Sequence, residues 1–281
     1  MTEMSVQLEQ IAVRAARGVG DALRAAFVQA QQPSHKRDHH DLVTEHDERT
    51  EQVLRAELLD AWPDSAVLGE EGGASGDGAV HWLVDPIDGT ANFALGLPFF
   101  AVSIGAVAND QLVAGVVYDV MRDTAFSANL HGAYADGEPL RSTGPATDAQ
   151  NMLITSYPGP GTLAAGRGVE EYTTLLREFG AVRRMGSTAL ALAYVAAGAG
   201  CAYAYGIHPW DVAAGALIVQ QAGGRYLPLP DTGRPWEAPG YLAVNGDFDL
   251  PGSCLTDLLP RMLPRTATGT PLPGGGLRNR P

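Results

Sequence analysis

His81-Trp82-Leu83-Val84-Asp85-Pro86-Ile87-Asp88-Gly89-Thr90-Ala91-Asn92-Phe93 is the stretch on which the reading of this 281-residue chain turns. An apolar, strand-like run stops at Asp85, Pro86 blocks its extension, a second carboxylate follows at Asp88, and Gly89-Thr90 opens a helix. The first amides of a helix lack intrahelical partners and carry the positive end of its dipole, so they attract anions. A phosphate placed there meets Asp85 and Asp88. At about 4 Å and an effective dielectric near 20, each such like-charge pair costs roughly 4 kcal/mol, so a divalent cation between them is almost required. The stretch reads as a site for metal plus phosphate. An arbitrary pair of aspartates is more often a pair of surface acids, one of them a helix cap. Here the apolar run delivers them at the end of a buried strand, where a charge is costly without a partner.

Other acidic segments accompany the stretch in a fixed order. Asp41-Leu42-Val43-Thr44 with Asp47 lies upstream, Gly69-Glu70-Glu71 follows, and Gly206-Ile207-His208-Pro209-Trp210-Asp211-Val212-Ala213-Ala214-Gly215 lies far downstream. Together with Asp85-Pro86-Ile87-Asp88-Gly89-Thr90, and over about residues 36–224, they resemble the inositol monophosphatase family. These are magnesium-dependent, lithium-sensitive phosphatases that also include fructose-1,6-bisphosphatases and nucleotide bisphosphate phosphatases. The resemblance implies a fructose-1,6-bisphosphatase-like fold of the α+β or α/β class, a layered α-β-α-β-α sandwich. It implies two or three Mg²⁺ ions held by Glu70, Asp85, Asp88, Asp211 and the main-chain carbonyl of Ile87, with Asp85 bridging two of them. Glu70 and Thr90 then hold the attacking water, and Asp47 accepts a hydrogen bond from Thr90. Substrate contacts are implied at Asp88, Gly89, Thr90, Gly186, Ser187 and Asp211, and a homodimer is implied as the assembly.

The residues also have readings of their own. Adjacent glutamates such as Glu70 and Glu71 are commonly a solvated loop, but Gly69 lets the backbone turn so that only one faces inward. Glu71 is then a neighbour of the site or a surface acid. On spacing alone Asp47 caps a helix in a Thr44-Glu45-His46-Asp47 box, a role compatible with holding Thr90. Asp211 also stands at a helix start, but the apolar run after it marks that helix as buried, which suits a ligand aimed into a cleft. Trp210 reads as core and His208 as a packed, hydrogen-bonded residue rather than a catalyst. The candidate ligands are all oxygen, which selects hard cations such as Mg²⁺ over zinc. No serine, cysteine or histidine nucleophile stands in an activating setting.

Composition narrows the field. A formal net charge of −13 argues against nucleic acid or an anionic membrane as partner, and would repel a phosphorylated substrate unless cations screened it. Two cysteines without paired spacing indicate neither a disulfide framework nor a zinc site, consistent with reducing cytoplasm. No signal peptide or membrane span is visible.

Along the chain, Leu8, Ile11, Ala12, Ala15, Ala16, Val19, Ala22, Leu23, Ala26 and Phe27 predict one long helix ended by Pro33. A polar loop with Lys36 and three histidines follows, better read as solvated than as a metal site. A second helix buries Val53, Leu54, Leu58 and Leu59. A strand over 65–68, a mobile glycine-rich loop over 72–78, a hairpin over 99–120 and a strand over 124–128 point to an antiparallel sheet. From Asn151 strands and helices alternate to Ala222, so one catalytic domain over 1–265 is expected. It comprises an antiparallel lobe of about 1–150, a smaller alternating lobe of 151–265 and a cleft between them; a flexible Gly/Pro-rich tail covers 266–281.

The segment Arg183-Arg184-Met185-Gly186-Ser187-Thr188-Ala189 resembles the family's substrate-contacting turn, the plain alternative being a strand-to-helix junction capped by Ser187 or Thr188. Ala204 stands where animal relatives carry a glutamate that hydrogen-bonds inositol hydroxyls, which weakens the case for strict inositol specificity. The expectation is hydrolysis of inositol 1-phosphate or a similar phosphorylated polyol. Histidinol phosphate and fructose 1,6-bisphosphate are alternative substrates, and a regulatory interaction protein with reduced catalysis is the alternative of another class.

Overall fold

A computed structural model describes residues 1–28 and 45–263, and the backbone alone of 34–35 and 42–43. The chain opens with α1 (Thr2–Gly18) and α2 (Gly20–Val28), two helices where the periodicity predicts one. Val19 caps α1 between two glycines, the residues that least favour helical backbone after proline, so the break falls there. Strands β1 (Ser34–His35) and β2 (Leu42–Val43) pair antiparallel, and α3 (Glu45–Ala61) follows. The polar loop predicted from Ser34 begins instead with β1, and its remainder over 36–40, the Thr44 end of the capping box and the tail from 266 lie outside the described residues. The buried stripe of α3 is Asp47, Thr50, Glu51, Leu54 and Leu58. Val53, expected on that face, is exposed because the stripe recurs at i, i+4, i+7 and i+11 from Asp47 and passes it by.

Next come β3 (Ser65–Gly69), β4 (Gly73–Gly76), β5 (Val80–Asp88), the short α4 (Thr90–Leu95), β6 (Ala101–Ala108), β7 (Gln111–Asp119), β8 (Thr124–Asn129), β9 (Gly132–Ala135) and β10 (Glu138–Pro139). They form an eight-stranded sheet in the order β10-β9-β8-β7-β6-β5-β3-β4, antiparallel except between β3 and β5. The stretch predicted as a glycine-rich loop supplies β4, which pairs with β3 because a ladder needs backbone groups rather than side chains. The run through Asp85 does not stop there. Asp85 pairs with Ser103 and Asp88 with Ala101, so β5 carries an extra residue at this point, a bulge that spares Pro86 a ladder hydrogen bond.

The second half supplies β11 (Met152–Thr155), α5 (Pro160–Ala164), α6 (Val169–Glu178), β12 (Ala181–Arg183), α7 (Thr188–Ala196), β13 (Cys201–Tyr205), α8 (Pro209–Gln221), β14 (Arg225–Pro228), β15 (Gly240–Val244) and α9 (Leu255–Met262). Its five strands run β12-β11-β13-β15-β14. β11 is parallel to β12 and β13, whereas β15 runs antiparallel to β13 and β14.

Three hydrophobic cores alternate with the sheets. α1 and α3 cover one face of the larger sheet, where Leu8, Leu54, Trp82 and Phe100 are packed. α7 and α8 fill the space between the sheets, and α6 and α9 close the outer face of the smaller one. This is the expected α-β-α-β-α sandwich. The middle layer is tight because it is built from small residues. Gly105 and Gly115 sit opposite each other in β6 and β7, and a Cβ on them would lie 2.7 Å from the Cβ of Ala213 and 2.8 Å from the Cα of Ala214. Close approach of α8 to the sheet delivers its first turn, with Asp211, to the end of β5.

Candidate active site

The parallel register of β3 and β5 sets Gly69 opposite Val84, and the Glu70 N–H donates to the Val84 carbonyl at 3.2 Å. Glu70, the first residue after β3, thus lies beside Asp85, the residue after Val84 within β5. Asp85 and Asp88 are buried. Asp85 Oδ1 accepts the Ile87 N–H at 3.1 Å, a local turn that holds it in place. Asp88 reaches across the molecule: its oxygens accept the Ser187 hydroxyl, the Ala189 N–H at 2.9 Å and the Thr188 N–H at 3.1 Å. One carboxylate therefore satisfies orphan amides at the start of α7 and ties that helix to the larger sheet.

Asp211 accepts the His208 N–H at 2.7 Å as part of a reciprocal cap on α8, and lies within hydrogen-bonding reach of Asp85. The capping role and the inward-facing role, set against each other in the sequence, coexist in this residue. Thr90 Oγ1 is 3.0 Å from Asp47 Oδ1 and 3.0 Å from the Ile87 carbonyl. A hydroxyl has one proton, so it donates to one of the two at a time.

The electrostatics of the group are those of crowded acids. Burial drives the Asp85 carboxyl well above the usual range, and Glu70, Asp88, Asp211 and Asp47 each push it further. Burial likewise raises Asp211, with Asp88 next and the His208 N–H opposing. Asp88 is pushed up to about 6, burial outweighing the hydrogen bonds from Ser187, Ala189 and Thr188. Among the described residues no three histidine, cysteine, aspartate or glutamate side chains close into a ready-made metal cage. The acids are close enough to repel one another through a buried region, and all their donors are oxygen. Such a set fits hard divalent cations, whose charge would relieve the repulsion.

Beside the acids lies a cavity of about 250 Å³ whose lining includes Asn92, Arg184, Gly186, Ser187, Ala204 and Tyr241. Asn92 Nδ2 donates to the carbonyls of Phe99 and Met185, both at 2.7 Å, and joins the segment after Asp88 to the Met185-Gly186 turn. Gly186 has φ +74° and Gly89 φ +99°, conformations that favour glycine. The resemblance implies substrate contacts at Gly186 and Ser187. The structure puts both on the cavity wall but gives the Ser187 hydroxyl to Asp88. His208 is exposed rather than packed, stacked on a half-buried Trp210 at 5.0 Å.

Three residues of this region escaped the sequence reading. Asn92 stands in the central stretch with no role implied, Tyr241 lies on a strand the sequence does not announce, its phenol raised first by burial and then by Asp88 and Asp211, and Glu51 lies within the second helix. For Glu51 a signal existed: an acid three residues before Leu54 and seven before Leu58 lies on their buried helix face and needs a partner inside the protein.

An α-β-α-β-α sandwich with carboxylates converging where β5 meets α7 and α8 defines a class of phosphatases that work through oxygen-bound metal ions. The model of the inositol monophosphatase family matches residues 4–258. The Nus factor SuhB of Pseudomonas aeruginosa is 39% identical over 223 residues, 76% of this chain and 82% of that protein. Inositol monophosphatase 1 of Sus scrofa is 36% identical over 237 residues, 80% of this chain and 84% of its own length. The crystal structure of extragenic suppressor protein suhB from Bartonella henselae superposes with a TM-score of 0.76 at 33% identity, covering 85% of this chain and 93% of that one. The chain belongs to the inositol monophosphatase family, a generally metal-dependent group, and is a phosphoric monoester hydrolase. No helix among the described residues is long and apolar enough to cross a membrane.

Proposed function

We propose that this protein is a Mg²⁺-dependent phosphomonoesterase acting on inositol 1-phosphate or a similar phosphorylated sugar alcohol, as a cytoplasmic homodimer in which residues 1–265 form one catalytic unit. The observation that carries the reading is that Asp85 is acted on at once by Glu70, Asp88, Asp211 and Asp47. Glu70, Asp85, Asp88, Asp211 and the Ile87 carbonyl would hold two or three ions. When bound, such ions neutralise phosphate charge, acidify a water and stabilise the leaving oxygen.

The chain's own residues do the rest. Asp47, fixed in the first turn of α3, accepts a hydrogen bond from the Thr90 hydroxyl, which leaves the threonine oxygen free to accept one from water. Glu70 accepts the other hydrogen bond, aims the water's lone pair at phosphorus and takes that one proton as the P–O bond forms, while the ester P–O bond breaks and the leaving alkoxide is protonated from solvent. The amides of Gly89 and Thr90 receive phosphate oxygens. Asp88 and Asp211 meet the hydroxyls next to the ester, and the turn at Gly186 and Ser187 shapes the wall that the alcohol faces. Ala204, also on that wall, offers no polar group, so discrimination among polyols is relaxed.

The test is phosphate release from inositol 1-phosphate, histidinol phosphate, fructose 1,6-bisphosphate and adenosine bisphosphate, with Mg²⁺ and with EDTA. Turnover that needs Mg²⁺, favours the inositol ester and vanishes in Asp85→Asn with the fold intact supports the proposal. Preference for one of the other esters transfers the activity to that substrate. A folded protein that turns over none of them favours the second reading, a regulatory interaction protein, whose support is the similarity to the Nus factor.

A further inference from the structure

Glu51 is 2% exposed and lies on the same face of α3 as Asp47, one helical turn later. Its carboxylate accepts the Glu71 N–H at 2.7 Å and the Gly72 N–H at 2.8 Å, and pairs with Arg55 Nη2 at 2.5 Å. Arg55 in turn donates to the carbonyls of Val67 and Gly73 and to the Ser75 hydroxyl, on both strands of the β3-β4 hairpin. The other side of the Glu51 carboxylate presses on Gly69, where a Cβ would lie 2.3 Å from its Cδ. The carboxylate therefore brackets Glu70, with backbone contact before it and two amides held after it.

We infer that Glu51, braced by Arg55, is a positioning residue that fixes the Glu70 carboxylate toward Asp85, so that one helix sets both arms of the site, Asp47 through Thr90 and Glu51 through the backbone around Glu70. The inference rests on the proposed role of Glu70. A hairpin needs no buried charge at its turn to pair its strands, whereas a carboxylate that must not rotate away from its neighbours gains from a backbone held on both sides. Glycine at 69 follows from the same geometry, since any side chain there would displace the Glu51 carboxylate.

The test compares Glu51→Gln, Gly69→Ala and Glu70→Gln in the full chain, measuring kcat, KM and the Mg²⁺ concentration for half-maximal activity well below each variant's Tm. Glu51→Gln turns one acceptor into a donor facing an N–H, and Gly69→Ala displaces an intact Glu51, so each reaches the same arrangement from a different side. The expected result is a rise in the Mg²⁺ requirement of about 10-fold or more with a lower kcat and little change in substrate KM, in both variants. A lowered Tm with unaltered Mg²⁺ requirement and kcat overturns the inference and leaves Glu51 as a hairpin anchor. Full activity in Glu70→Gln overturns the reading of Glu70 instead, so the two failures are distinguishable.

Discussion

Asp85 is the residue at which every charge in the site is felt. Its carboxyl is disfavoured as an anion by burial and by four neighbouring acids, so it is held in place only when a cation shares the space or a proton is retained. Asp85→Asn removes one repelling charge at nearly constant volume. The expected outcome is a kcat/KM lower by at least about 10²-fold, together with an unchanged or higher Tm in EDTA; steady-state phosphate release and differential scanning calorimetry check the two halves. Thr90 makes a different prediction, because its hydroxyl serves orientation. Thr90→Ala is expected to lower kcat by about 10²-fold with substrate KM within a few-fold of wild type, and Thr90→Ser to recover most of the loss, since serine keeps the proton shared with Asp47.

At the scale of elements, the site depends on how closely α8 lies on the sheet. Gly115 faces the Ala214 Cα, and a methyl there would come within 2.8 Å of backbone that cannot swing aside. Gly115→Ala is expected to cost about 1–3 kcal/mol and to raise the Mg²⁺ requirement by moving Asp211 off its position. Denaturant melts and Mg²⁺ titration of activity measure these effects. The same elements explain what the sequence made legible. Asp85 and Asp88 stood where an apolar strand gives way to a helix, and the apolar runs before Asp85 and after Asp211 marked both as inward-facing, whereas the roles expected of Asp47 and Glu70 came from the resemblance rather than from their own pattern. The bulge at Pro86 was hidden because it is decided by register against β6, not by local propensity. β4 was hidden because glycine-rich sequence carries no side-chain periodicity for a ladder to show. Asn92 was hidden because its partners are backbone groups brought near only by the fold, and of the partners of Glu51 only Arg55, four residues on, was legible, the amides of Glu71 and Gly72 not.

At the scale of the whole molecule, the acids make stability depend on pH and on cations. The folded-state pKa values of Asp85, Asp88 and Asp211 are raised above 3.8, so between that value and the raised ones the folded chain binds more protons than the unfolded chain. Stability from these groups is therefore full at pH below about 4 and is lost as pH rises through the folded values, which for Asp88 is about 6. Metal-free protein is expected to melt at lower temperature at pH 7 than at pH 5, and Mg²⁺ to narrow or reverse that difference; thermal melts across this range with EDTA or MgCl₂ check it.

The proposed chemistry depends on carboxylates far apart in sequence forming one cation site. Its most direct measurement is binding of Mn²⁺, as a spectroscopically visible substitute for Mg²⁺, followed by the loss of free-ion electron paramagnetic resonance signal in wild type, Asp85→Asn and Asp211→Asn. Both substitutions are expected to weaken the same binding events. Wild-type Mn²⁺ binding in folded Asp211→Asn, with binding lost in Asp85→Asn, would contradict a single shared site.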